Sequence, residues 1–144
     1  MEKINENKDL SLKALIALNR GSQAVRRKEM TTVVSSGLTV SQFAVLEILF
    51  HKGDMRISDI IKGILITGGN MTVVTENLIK NGLVEKIKDP EDRRASLLSI
   101  TEKGRKLMED IFPAHAENIK NIFSVLTEEE KKSLIKIMLK LRDR

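Results

Sequence analysis

The stretch from Thr67 to Lys106, TGGNMTVVTENLIKNGLVEKIKDPEDRRASLLSITEKGRK, most constrains what this chain can fold into. Met71, Val74 and Leu78 recur at helical spacing, which predicts a helix with one face on a core. Thr67 reads as its N-cap and Gly82 as its stop. At about 100° per residue, Gly69, Asn70, Val73, Glu76, Asn77 and Lys80 fall on the opposite side. That outward face is small and amide-bearing near its start. Two β-compatible runs follow, Leu83–Lys88 and Ser96–Ile100, around a turn rich in Asp, Pro and Glu. Asp92, Arg93 and Arg94 sit at the hairpin tip, where there is no core to bury. A polar-faced helix followed by a basic β finger points to a reader of duplex nucleic acid.

The flanking sequence supplies a scaffold for this unit. Asp9 to about Val34 reads as one helix, spanning roughly 40 Å at 1.5 Å per residue. Leu12, Leu15, Ile16 and Leu18 form its apolar side, and Arg26-Arg27-Lys28 a solvated face. In LTVSQFAVLEILFHKG, Thr39 and Gln42 make a capping box, and Leu38 and Phe43 take the positions of a hydrophobic staple. Phe43, Leu46, Leu49 and Phe50 are its buried stripe, with Gly53 the stop and His51 a partner for the helix C-terminus. Ile57–Ile64 forms a short helix with Ile60, Ile61 and Ile64 inside, and with the helix after it makes a helix-turn-helix. Thr101 caps a helix that Pro113 should kink or break. Thr127 and Glu130 make a second capping box ahead of Leu134, Ile137, Met138 and Leu141. The first and last helices carry apolar stripes with no evident partner inside one copy.

Composition narrows the chemistry. With 144 residues, the chain suits one domain of ordinary size. Its 25 basic and 20 acidic side chains leave a net charge of +5, which suits a polyanionic partner as well as a soluble surface. There is no Cys, which removes disulfides, thiol switches and Cys nucleophiles and fits a cytoplasmic setting. His51 and His115 read as isolated residues without clustered carboxylates, so neither a metal site nor a cofactor is expected. The polar N-terminus MEKINENKDL lacks the apolar core of a secretion signal, and no apolar run approaches a membrane span. No Ser/His/Asp set, phosphate-cradling loop or paired acids stand out, so an enzyme is not expected.

On LTVSQFAVLEIL, NMTVVTENLIKNGLVEK and above all DPEDRRASLLSITEKGRKL, the chain resembles transcription factors of the MarR (multiple antibiotic resistance regulator) family over nearly its whole length. The resemblance implies a mainly α fold with a small two- to three-stranded antiparallel wing. Residues 38–106 would be the winged helix-turn-helix, and 9–34 and 107–144 the dimerisation helices, in one domain spanning 1–144. It further implies a homodimer on palindromic double-stranded DNA, acting as a repressor released by a small lipophilic or phenolic effector. By the same resemblance, Arg94 is the wing arginine, Asp92 the aspartate that braces it, and Arg93 its basic neighbour. Thr67, Gly68, Gly69, Asn70 and Thr72 match the contact-bearing start of the recognition helix, with Val73 and Asn77 further along its outward face.

Three departures from the family pattern stand out. Arg56 replaces a common Ser or Thr cap, Leu65 replaces a common turn Gly, and Gly68-Gly69 leave few side chains for base contacts. The rival reading is a winged helix that binds protein and never touches DNA. It calls for apolar anchors outward, where Val73 alone is apolar.

Overall fold

Local capping sets where two of the helices begin. In the computed structural model, which describes residues 9–64 and 70–144, Thr39 accepts the Gln42 N–H at 3.2 Å and Gln42 Oε1 accepts the Thr39 N–H at 3.0 Å. Thr127 and Glu130 repeat this arrangement at 3.1 and 3.0 Å. Such reciprocal bonds satisfy backbone donors that a helix start otherwise leaves orphaned. The elements in chain order are α1 (Leu10–Ser35), α2 (Val40–Lys52), β1 (Met55–Arg56), α3 (Ile57–Gly63), α4 (Met71–Lys80), β2 (Val84–Lys88), β3 (Ser96–Ile100), α5 (Glu102–Phe123) and α6 (Glu128–Arg142). This mostly helical architecture with a small antiparallel sheet is the winged-helix class expected from the sequence.

The chain divides into two compact units. Among the described residues, one runs from Thr32 to His115, and the other combines residues 9–31 with Ala116–Arg144. In the first, Phe43, Val45, Leu46 and Leu49 of α2 pack with Val33, Ile60, Leu78, Leu98 and Met108 in the core. The expected α2 stripe is buried except for Phe50, which is half-buried, and Val45 joins it. The sheet has the order β1-β3-β2, both pairings antiparallel, with Met55 opposite Leu98 and Val84 opposite Ile100. Its inward residues Val84, Leu98 and Ile100 close the base of the core.

Three expectations need correction. α3 ends at Gly63, and of its isoleucines Ile60 is fully buried while Ile61 is 49% exposed. A two-turn helix offers the core one face, and Ile61 lies about 100° from it. Pro113 does not break α5, which runs unbroken from Glu102 to Phe123. Pro113 is solvent-exposed, so water can serve the carbonyl that loses its helical donor. His115 is not isolated. It is buried, with its ring 4.9 Å from that of Phe43 and Nδ1 3.1 Å from the Thr32 hydroxyl. His51, in the last turn of α2 as expected, also packs its ring 5.6 Å from Phe112.

In the second unit, Asp9 caps α1 by accepting the Ser11 N–H at 2.9 Å, and the Asn118 amide donates to the Lys28 carbonyl at 2.9 Å. α6 has no buried residue, and Ile135, Ile137, Leu139 and Leu141 are all exposed. Leu10, Leu15 and Leu18 of α1 are exposed as well. Among the described residues, no single helix is long and apolar enough to cross a membrane.

Candidate nucleic-acid interface

Helix α4 starts later than the sequence predicts. Its N-cap is Asn70, whose side-chain carbonyl accepts the Thr72 N–H at 3.1 Å, and its first helical residue is Met71. Asn70 therefore replaces Thr67 as the cap. Thr67, Gly68 and Gly69, named as contact residues, lie outside the described residues. The cap also narrows the role of Asn70 itself. With its oxygen committed to the backbone, its NH₂ group remains to face a partner.

Helical geometry separates the two faces of α4. Thr75 and Leu78 are buried and Met71 and Val74 half-buried, whereas Thr72, Val73, Glu76, Asn77 and Lys80 are exposed. Val73 is 48% exposed, a single large apolar group amid polar ones. The end of the helix is held from α5. Gly82, at φ 72°, lets the Leu83 N–H reach back to the Leu78 carbonyl at 2.9 Å, a closure that favours glycine. Thr101 donates its hydroxyl to the Gly82 carbonyl at 2.6 Å and accepts the Gly104 N–H at 3.0 Å, while Lys103 Nζ donates to the Asn81 carbonyl at 2.9 Å. Thr101 thus caps α5 as expected and at the same time ties it to α4.

The glycine of the Thr-Glu-x-Gly run has a packing reason. A Cβ at Gly104 would run into the carbonyl of Leu83 and lie 2.9 Å from Ile100 Cγ1. Only a bare backbone lets α5 start so close to the strand entry.

The wing tip is built from carboxylates and backbone. Asp92 accepts the Arg94 N–H at 3.0 Å, so it holds the arginine's backbone, and both Arg93 and Arg94 are solvent-exposed. Asp89, at the end of β2, is buried and was not singled out by the sequence. Its Oδ1 accepts the Glu91 N–H at 2.9 Å, and its Oδ2 takes Arg56 Nε at 2.8 Å and Nη2 at 2.6 Å. The Glu91 N–H first, and then Arg56, hold the Asp89 carboxyl below the usual carboxylate range. Asp89 in turn raises the Arg56 pKa. Arg56 is the N-cap residue of α3 yet makes no side-chain cap, since its guanidinium is turned to Asp89. β1, too short to carry a periodic signal, places Arg56 opposite Leu97 in the sheet.

Known proteins resemble this chain in sequence and in fold. The MarR family profile matches residues 38–96. The HTH-type transcriptional regulator MhqR of Bacillus subtilis (strain 168) is 41% identical over 120 residues, covering 83% of this chain and 83% of that protein. The uncharacterized HTH-type transcriptional regulator YkoM of the same organism is 31% identical, covering 84% of this chain and 79% of its own. A solved structure of Bordetella bronchiseptica BpsR, whose DNA binding is regulated by 6-hydroxynicotinic acid, superposes with a TM-score of 0.79 at 28% identity. That match covers 99% of each chain.

Proposed function

Because the chain belongs to the MarR family and is a DNA-binding transcriptional regulator, we propose that it acts as a homodimeric repressor on a palindromic operator. In this reading the protein works in the cytoplasm, residues 38–106 form the reader, and α1, α5 and α6 hold two copies together. The observation that carries it is the exposed polar face of α4, followed in the chain by a wing tip with two exposed arginines. Two α4 helices related by a two-fold axis enter successive major grooves, about 34–36 Å apart. Thr72 and Asn77 have both donors and acceptors for base edges, and Asn70 contributes its NH₂ group. Arg94 enters the flanking minor groove, where narrow A·T-rich segments concentrate negative potential. Asp92 keeps the backbone of that arginine in place.

The apolar surface that one copy leaves uncovered supports pairing. α6 buries none of its apolar residues, and burying such surface against a second copy at roughly 25 cal/mol per Å² is the direct remedy. Pairing also doubles the net charge of +5 presented to DNA.

Release by a small lipophilic or phenolic effector completes the reading, supported by the regulation of BpsR by a small molecule, 6-hydroxynicotinic acid. Binding requires two readers at a fixed separation, so a ligand that favours another separation lowers affinity.

Selection of bound sequences from random duplex DNA tests the proposal. The expected result is a two-fold repeat with half-site centres about 10–10.5 base pairs apart. Binding should also weaken steeply with added salt as counterions are released. A strict monomer in solution, or indifference to duplex DNA at low ionic strength, overturns it.

A further inference from the structure

The wing tip has no apolar core to hold its direction. Pro90, Glu91, Asp92, Arg93 and Arg94 are all exposed. A continuous run of polar contacts nevertheless joins this tip to the start of α3. The Arg56 guanidinium places two N–H groups on Asp89 Oδ2, at 2.8 and 2.6 Å. The Asp89 N–H donates to the Ala95 carbonyl at 3.2 Å, the Ala95 N–H to the Asp92 carbonyl at 3.1 Å, and the Arg94 N–H to Asp92 Oδ1 at 3.0 Å. Every step is a bond to backbone or a charge-assisted one. The chain ends on the backbone of the arginine assigned to the minor groove.

The burial at its origin is unequal. The Asp89 side chain is 7% exposed and that of Arg56 41%. A buried carboxylate requires a countercharge and hydrogen-bond donors, and here Arg56 and the Glu91 N–H supply them. The planar guanidinium can direct two donors at one oxygen, which a lysine ammonium on a flexible stem does less well. Thirty-three positions separate the two residues, so the contact fastens the base of the wing to the helix-turn-helix.

We propose that Arg56 and Asp89 are positioning residues for the wing: their ion pair sets the direction in which Arg94 is offered to the minor groove. This rests on the reading that Arg94 contacts DNA. Neither residue needs to touch the duplex for the pair to affect binding, because the hydrogen-bond relay carries its effect to the tip.

The test uses the full-length protein and the duplex recovered by selection, with affinity read by fluorescence anisotropy. Arg56→Gln, Arg56→Lys and Asp89→Asn are measured alone and in combination with Arg94→Ala, and thermal midpoints are recorded alongside. Arg56→Gln and Asp89→Asn should each weaken binding by about three- to tenfold, with Arg56→Lys in between. In the Arg94→Ala background the same changes should have almost no further effect. They should also erase the preference for A·T over G·C base pairs in the flanks, a readout that general destabilisation does not move. An equal loss with and without Arg94 would overturn the proposal, since Arg56 would then act directly on phosphate or through overall folding. So would parental affinity in Arg56→Gln while Arg94→Ala is weakened, and this would leave the wing reading intact. If Arg94→Ala itself binds like the parent, the wing reading fails and the proposal with it.

Discussion

Arg94 donates its backbone N–H to the carboxylate of Asp92 at 3.0 Å, while its guanidinium makes no hydrogen bond or ion pair among the described residues. The arginine is thus fixed at its root and free at its head. Arg94→Ala should lower operator affinity by about tenfold with little change in thermal midpoint. Asp92→Ala should cost less, because the guanidinium remains, and Asp92→Asn should cost least, because it keeps an acceptor. Anisotropy titrations at one fixed salt concentration give the ranking, and Asp92→Ala weaker than Arg94→Ala would contradict it.

Capping by Asn70 gives a stability prediction separate from any base contact. Asn70→Ala removes the acceptor for the Thr72 N–H and should destabilise by about 0.5–2 kcal/mol, whereas Asn70→Ser should retain most of the cap. Urea denaturation of the three proteins compares them directly. An undisturbed midpoint in Asn70→Ala would place the start of the helix elsewhere.

Val73 presents a half-exposed isopropyl group between Thr72 and the Glu76–Asn77 pair. The matching surface in a major groove is the 5-methyl group of thymine. Replacing thymines by uracils one at a time in the selected half-site should reveal a position that weakens binding severalfold, within the roughly 1–3 kcal/mol assigned to one base pair. Val73→Ala should abolish that sensitivity. A half-site insensitive to every such replacement removes Val73 from sequence discrimination.

The Asp89 carboxyl lies below the usual range, owing first to the Glu91 N–H and then to Arg56. The sign follows from linkage: a depressed carboxyl pKa contributes stability that is fully present above the unfolded value of about 3.9. That contribution is lost as pH falls through the lower folded value. Thermal midpoints of the parent and Asp89→Asn should therefore differ at neutral pH and converge only in strong acid. Convergence already near pH 6 would mean that the carboxylate is not held in this way.

What could be read from the sequence was mainly local. Thr39 with Gln42, Thr127 with Glu130, and Thr101 ahead of Gly104 are three apart, and their bonds close within one helical turn. Both wing strands followed from short β-compatible runs on either side of a turn rich in Asp, Pro and Glu. The misplaced start of α4 has a local cause: Thr67 and Asn70 are both good caps, and counting apolar periods backward does not choose between them. The remainder depended on partners distant in sequence. Nothing near Arg56 announces Asp89, nothing near His115 announces Phe43, and a two-residue strand acquires its identity only by pairing with Leu97 and Leu98. Ile61 was assigned inward for its residue type, although an exposed isoleucine is ordinary on a short helix.

Gly104 is buried and is not one of the proposed contact residues, yet a single added methyl group there meets the Leu83 carbonyl. In a saturation screen scored by loss of regulation, position 104 will rank with the strongest base contacts, and even alanine will be rejected. Dividing each score by cellular protein abundance should return it to the neutral level and leave the wing arginine standing. Part of any mutational map of this regulator will therefore record how tightly a strand entry abuts a helix start.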